Sequence, residues 1–167
     1  MKKMTEEHLK NAYAGESQAH MKYLAFADAA EKEKFANVAR LFRANSYAEK
    51  VHATNHLRTL GGIGKTAENL GAAENGENFE VEEMYPAYLK VAENQGEKTA
   101  ATMFTWAMAA EKVHAGLYER AKEVVEKGKD LSYFPVHVCS NCGFTMEGEA
   151  PDKCPVCGAS KQKFVKF

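Results

Sequence analysis

Apolar residues recur at three- and four-residue steps through most of the first 128 positions, and this pattern predicts four helices followed by a small tail. The first, about residues 5 to 31, carries Leu9, Ala12, Tyr13, Ala19, Tyr23 and Ala27 on one stripe, with Thr5 as its N-cap and Glu16 on the same stripe. The second, about 34 to 60, aligns Val38, Leu41, Phe42, Asn45, Glu49, His52 and His56 and stops at Gly61-Gly62. A polar, glycine-rich loop follows. The third helix is expected to begin near Gly76-Glu77, to carry Glu77, Glu80, Met84, Tyr88 and Val91, to bend at Pro86, and to end near Gly96. The fourth, about 97 to 127, aligns Phe104, Ala107, Glu111, His114 and Tyr118, with Gly128 as C-cap. Residues 129–136 read as a linker, and residues 137–167 as a separate cysteine-rich domain.

Two stretches share one word, Glu-x-x-His: Glu49-Lys50-Val51-His52 and Glu111-Lys112-Val113-His114. Positions i and i+3 lie on one helical face, so each word presents a carboxylate and an imidazole to the same ion. With 20 glutamates and six histidines in 167 residues, chance alone supplies about 0.7 such words. The surroundings carry more weight. Glu16 precedes Glu49 by 33 residues and Glu77 precedes Glu111 by 34, which describes two similar hairpins, each bringing one carboxylate and then one Glu-x-x-His. Buried carboxylates need a pairing charge or a metal. Four carboxylates and two imidazoles in a helical bundle form the ligand set of di-iron and di-manganese proteins and suit those metals better than zinc or copper.

Glu80, one turn beyond Glu77, is a fifth carboxylate. It becomes useful when a metal pair is oxidised and gains positive charge, which points to a redox site; the alternative is an acidic helix start shared with Glu82 and Glu83. Tyr23 and Tyr85 are placed to donate hydrogen bonds into such a cavity, or to pack as core aromatics. His8, His20, His56 and His137 have no comparable constellation.

The four cysteines form two words, Cys139-x-x-Cys142 and Cys154-x-x-Cys157, each followed by glycine. This spacing marks a tetrahedral metal site; zinc would make it a structural ribbon and iron a one-electron carrier. Attachment to a redox-type carboxylate site favours iron. With 22 basic and 23 acidic residues well mixed, no broad electrostatic footprint favours nucleic acid or anionic lipid. The start lacks the apolar core of an export signal and no segment is long and apolar enough to span a bilayer, so a cytoplasmic location is expected.

Taken together, Ala14-Gly15-Glu16-Ser17-Gln18-Ala19, the two Glu-x-x-His words, Gly76-Glu77-x-x-Glu80-x-x-Glu83-Met84-Tyr85-Pro86 and the two knuckles resemble the rubrerythrins over essentially the whole chain. The resemblance implies a mainly α fold: a ferritin-like di-iron four-helix bundle over residues 1–128 and a rubredoxin-like Fe(Cys)4 domain over 137–167. It implies that Glu49 and Glu111 bridge two irons, that Glu16 binds one, and that Glu77 and His114 bind the other. The first iron would move between His52 and Glu80 as the pair changes oxidation state, with Tyr23 and Tyr85 beside it. Cys139, Cys142, Cys154 and Cys157 would hold the third iron, or zinc as a substitute. The implied activity is reduction of hydrogen peroxide to water, with electrons from an NADH-linked reductase or a rubredoxin passing through the Fe(Cys)4 centre. A short tether makes transfer within one chain awkward, so the expected assembly is a homodimer or larger homo-oligomer, helix-exchanged or not, with the tail of one subunit near the di-iron site of another. Two other readings stay open: a ferroxidase with little need of its tail, and a non-enzymatic zinc-ribbon interaction protein.

Overall fold

The computed structural model describes the whole chain, Met1–Phe167, which divides into two compact units, Met1–Gly64 and Lys65–Phe167. The fold is mainly α. No helix is long and apolar enough to cross a membrane.

The first unit is a hairpin of α1 (Lys3–Lys32) and α2 (Ala36–Thr59). The N-cap of α1 is Lys2, three residues before the expected Thr5, and it makes no side-chain cap; a Glu6–Lys10 ion pair of 2.7 Å supports the first turn instead. The turn between the helices places Lys34 at φ 68°, a left-handed residue that lets the Phe35 amide donate back to Ala30 O at 2.8 Å. Small residues let the two helices approach: Ala27, Ala30, Ala39, Ser46 and Ala53 are all buried. At the crossing the Ser46 hydroxyl donates to His20 O at 2.9 Å, and His20 Nδ1–H donates to Ser46 O at 2.9 Å. His20 is therefore a structural clamp. Tyr23, Phe26 and Phe42 form an aromatic cluster further along, with centroids 5.6–6.3 Å apart.

The second unit opens with α3 (Thr66–Phe79), ten residues earlier than the sequence pattern suggested. The segment carries few large apolar residues, so its periodicity is weak. A local bond starts it: Glu68, at the third helical position, accepts from the Lys65 amide at 2.6 Å. α3 runs into a π-helical turn, Glu80–Met84, and continues as α4 (Tyr85–Gln95). Pro86 gives the physical reason. It supplies no amide donor, and the turn before it widens so that the Tyr85 amide donates five residues back, to Glu80 O. The expected bend at Pro86 is thus a widened turn that precedes it. Gly96, at φ 74°, ends α4.

α5 (Lys98–Glu126) packs along both α3 and α4. Lys122 reaches Glu74 of α3 at 3.2 Å, and Phe104 meets Tyr85 and Tyr88 of α4 at 6.1 and 5.8 Å between centroids. Beyond Gly128 the chain enters a three-stranded antiparallel sheet in the order β2-β1-β3: β1 (Val136–Cys139), β2 (Thr145–Glu147) and β3 (Phe164–Lys166). This tail packs on its own α5, where Arg120 pairs with Glu147 at 2.9 Å and His114 meets Thr145. The tether therefore does not keep the tail from the α5 of its own chain. Nine linker residues reach about 30 Å when extended, whereas the helix from Glu126 back to His114 is only about 18 Å long.

Candidate metal centres

Each hairpin gathers the same three ligand types. In the first unit His52 Nδ1 lies 3.1 Å from Glu49 Oε2 on its own helix and 3.9 Å from Glu16 Oε1 across the hairpin. In the second, His114 Nδ1 lies 2.6 Å from Glu111 Oε2 on α5 and 3.8 Å from Glu77 Oε1 on α3. Within each set one donor atom from every residue lies within 4.8 Å of the others. The spacing of the residues along the chain is thus matched by the spacing of the atoms.

The carboxylates behave as groups awaiting a cation. Contact with Glu49 pushes the Glu16 carboxyl up, and the same contact, with His52, holds Glu49 down. Burial, and then the charge of Glu111, raises Glu77 to about 6. Glu80 lies in the π-helical turn beside that set rather than within it; burial and Glu111 also raise its carboxyl. Tyr85 lies close enough that burial and the charges of Glu80, Glu111 and Glu77 hold its phenol protonated. Tyr23 takes its place in the aromatic cluster with Phe26 and Phe42. A dication among these oxygens would replace like-charge contact with attraction, and the oxygen-rich donor sets fit iron or manganese.

The tail brings Cys139, Cys142, Cys154 and Cys157 together. Cys139 Sγ lies 3.7 Å from Cys157 Sγ, and Cys142 Sγ 3.6 Å from Cys154 Sγ. A disulfide needs about 2.05 Å, whereas metal–sulfur bonds of about 2.3 Å in a tetrahedron set the sulfurs about 3.8 Å apart. All four thiols are free, and the fit is to a metal. Gly143 and Gly158, at φ 79° and 73°, turn each knuckle so that their amides donate to Cys139 O and Cys154 O at 2.9 Å. The amides of Phe144 and Ala159 then address the sulfurs of Cys142 and Cys157. Burial opposes ionisation of Cys157, but the Asn141 side chain, the Ala159 amide and the neighbouring thiols outweigh it and bring that thiol down to about 6; burial pushes Cys142 far up. One thiolate forms readily in the cluster, and a metal is needed for the rest.

Two functional contacts lay outside the reach of sequence reasoning. Asn141 is one. The other is Thr145, whose Oγ1 lies 2.7 Å from His114 Nε2 on the side of the ring opposite the carboxylates. Nothing in the local sequence announces either. His137 is held by the backbone, 2.6 Å from Gly148 O.

Comparison with known proteins agrees with this geometry. The model of the rubrerythrin family matches residues 7–122, and that of the rubrerythrin rubredoxin-like domain matches residues 137–165. The chain belongs to the rubrerythrin family. It is 40% identical to rubrerythrin-2 of Clostridium acetobutylicum, over 98% of this chain and 97% of that one. It is 35% identical to nigerythrin of Nitratidesulfovibrio vulgaris, over 98% and 86% of the two chains. Solved structures of nigerythrin, described as mixed-valent, partially reduced and fully reduced all-ferrous states, superpose with a TM-score of 0.56 at 35% identity, covering 98% of this chain and 86% of theirs. The fold class is accordingly mainly α and ferritin-like, with a small rubredoxin-like tail, and membership implies an oxidoreductase.

The raised Glu77 carboxyl has a measurable consequence for the metal-free protein. Its folded value, about 6, lies above the unfolded 4.5, so the folded state favours the protonated form. That stabilisation is complete below about 4.5 and is lost as pH rises through about 6, a change of about 2 kcal/mol. Glu77→Gln should remove the loss: with the carboxylate sites stripped of metal, the denaturation midpoints of variant and wild type should diverge between these pH values and stay parallel above. Curves parallel throughout would show that Glu77 is not held protonated.

Proposed function

We propose that this family member is a non-haem di-iron peroxidase, reducing hydrogen peroxide to water in defence against oxidative stress, with electrons relayed through an iron held by the four cysteines. The observation that carries this reading is the seat of the tail: the cysteine domain lies against α5 at His114, a residue of one carboxylate set. A storage or iron-oxidising protein has no need of an electron carrier there. The redox states described for the nigerythrin structures support iron as the metal.

Bound iron would supply what the side chains lack, the two electrons that, with two protons, turn one hydrogen peroxide into two waters. Glu16, Glu49 and His52 would hold one ion and Glu77, Glu111 and His114 the other. Glu80, half-buried and with its carboxyl raised by burial and by Glu111, would offer a further carboxylate as the positive charge of the bound iron rises, and His52, the more exposed imidazole, would be the ligand that is given up. The phenol of Tyr85 stays protonated and able to donate a hydrogen bond to whatever oxygen lies among the carboxylates. Tyr23 would serve the other side. The four thiolates would carry one electron at a time from an NADH-linked reductase or a rubredoxin, and free thiols as ligands suit a reducing compartment such as the cytoplasm.

The assembly belonging to this reading is a homodimer or larger homo-oligomer. Exposed apolar side chains on the first unit, among them Phe26, Val38 and Leu41, support a further contact with another copy. Sedimentation of the metal-loaded protein as a single 18.5 kDa species would count against it.

Metal substitution tests the activity without altering the fold. With zinc in the thiolate site and iron in the carboxylate site, peroxide should still oxidise the reduced protein once, but steady consumption of peroxide with a protein donor should collapse. An iron-oxidising protein would be indifferent to the tail metal, and that result would overturn the proposal. Glu80→Ala, with both carboxylate-site irons retained, should slow turnover roughly 10–100-fold; unchanged turnover would remove Glu80 from the mechanism.

A further inference from the structure

We propose that the four tail thiols are a reversible oxidation site as well as a metal site. In a metal-free tail, hydrogen peroxide closes them into two disulfides, Cys139–Cys157 and Cys142–Cys154. These bonds join one knuckle to the other, and they shut the site to metal until a dithiol reductant reopens it. The inference makes no use of the carboxylate sets and stands whether or not they reduce peroxide.

Burial divides the thiols into two classes. Cys139 is fully buried and Cys154 is 3% exposed, whereas Cys142 and Cys157 keep part of their surface. An oxidant from solvent therefore meets Cys142 or Cys157 first. Each of these has a buried thiol close at hand on the opposite knuckle: Cys157 Sγ lies 3.7 Å from Cys139 Sγ, and Cys142 Sγ lies 3.6 Å from Cys154 Sγ. A sulfur–sulfur bond is about 2.05 Å long, so each pair has about 1.6 Å to close, a movement within reach of side-chain rotation.

The backbone favours this pairing over one within a knuckle. Cys142 N and Gly143 N both donate to Cys139 O, and Gly158 N donates to Cys154 O, so each knuckle keeps its own turn while its thiols gather with those of the other. Around them, Ser140 N donates to Lys163 O at 2.8 Å, Cys139 pairs with Phe164 of β3, and Lys153 bridges Ser160 beside the second knuckle. The cross-links span 18 and 12 residues of sequence, so they restrain the chain as the metal does.

The chemistry balances without a further oxidant. One thiol takes an oxygen atom from hydrogen peroxide, giving a sulfenic acid and one water. The buried thiol then attacks that sulfur, which forms the S–S bond and releases a second water. Each disulfide has thus given two electrons and two protons to one peroxide, and two peroxides oxidise the whole tail. A dithiol of the thioredoxin class returns both electron pairs by exchange. A sulfenic acid with no thiol beside it goes on to irreversible sulfinic and sulfonic acids. The buried partners stop that course, so a tail emptied of metal in the presence of peroxide stays able to take metal again.

The sequence supplies a direct test, because trypsin cuts after Lys153 and after Lys161 and so separates Cys139 and Cys142 from Cys154 and Cys157. The full-length chain, stripped of metal, is treated with a small excess of hydrogen peroxide, digested, and analysed by mass spectrometry without reduction. Cross-knuckle bonds should tie the two cysteine peptides into one species that separates on reduction, from protein that still runs as a single chain on a non-reducing gel. Two separate peptides with internal disulfides would overturn the proposal, as would links between chains, sulfinic acids, or unreacted thiols. Cys142→Ser/Cys154→Ser keeps one predicted pair and should still close it. Cys142→Ser/Cys157→Ser keeps only the two buried thiols and should lose the reaction; equal rates in the two variants would contradict the order of attack. Cobalt(II), whose thiolate complexes are coloured, should give no thiolate band with the oxidised wild type and a full band after treatment with dithiothreitol and its removal. A full band from the oxidised protein, or thiols that oxidise as fast with metal bound as without it, would also overturn the proposal.

Discussion

Like charges brought together on helical hairpins are the constraint on which the structure turns. Glu16 with Glu49, and Glu77 with Glu111, are pairs of acids that tertiary packing holds within a few ångströms of each other and of an imidazole. Without a cation the cost shows in the acids themselves: Glu49 pushes the Glu16 carboxyl up, and burial with the charge of Glu111 raises Glu77 to about 6. Close helix packing makes this tolerable, because Ala27, Ala30, Ala39, Ser46 and Ala53 in the first unit, and Ala110, Ala115 and Ala121 on α5, commit the backbone before any ion arrives. The protein is therefore folded around an electrostatic cost that metal binding relieves.

The duplication is close but not symmetrical. Both hairpins show a short imidazole–carboxylate pair and a longer cross-helix one, with nearly equal distances. His52 is about half exposed, whereas His114 is three-quarters buried and held from behind by Thr145. Only the second hairpin has an extra carboxylate and a π-helical turn beside it. A ring bonded on both sides stays where it is, and an open one is free to leave. This difference supports the proposal that His52 is the ligand given up and His114 the one retained. The same π-helical turn arises because Pro86 offers no donor, so a backbone defect and the fifth carboxylate occupy one place.

Much of this was legible in the chain. Strong apolar periodicity located α1, α2 and α5 to within about two residues of their ends, and glycine marked the ends at Gly61, Gly96 and Gly128, all with positive φ. The Glu-x-x-His words and the cysteine spacing carried the ligand types because those signals are local: i and i+3 share a face, and a knuckle closes over four residues. What escaped was non-local or weakly patterned. α3 has Leu70 and Phe79 but little else to mark a stripe, and its start depends on the Lys65 amide and Glu68. Thr145 meets His114 across 31 residues of sequence, a contact that exists only because the linker folds back along α5. That the tail would contact α5 of its own chain was not legible for the same reason, since linker length says nothing of the direction it takes.

The central claim is the proposal that the carboxylate–histidine ligand sets hold redox iron matched to peroxide. The most direct measurement is rapid mixing of the fully reduced, iron-loaded protein with one equivalent of hydrogen peroxide, and separately with dissolved dioxygen, following oxidation of the carboxylate-held iron spectroscopically. The account predicts that peroxide removes two electrons per chain from that iron much faster than dioxygen does, and that the tail iron is oxidised afterwards. Faster oxidation by dioxygen, or loss of electrons from the tail alone while the carboxylate-held iron stays reduced, would contradict it.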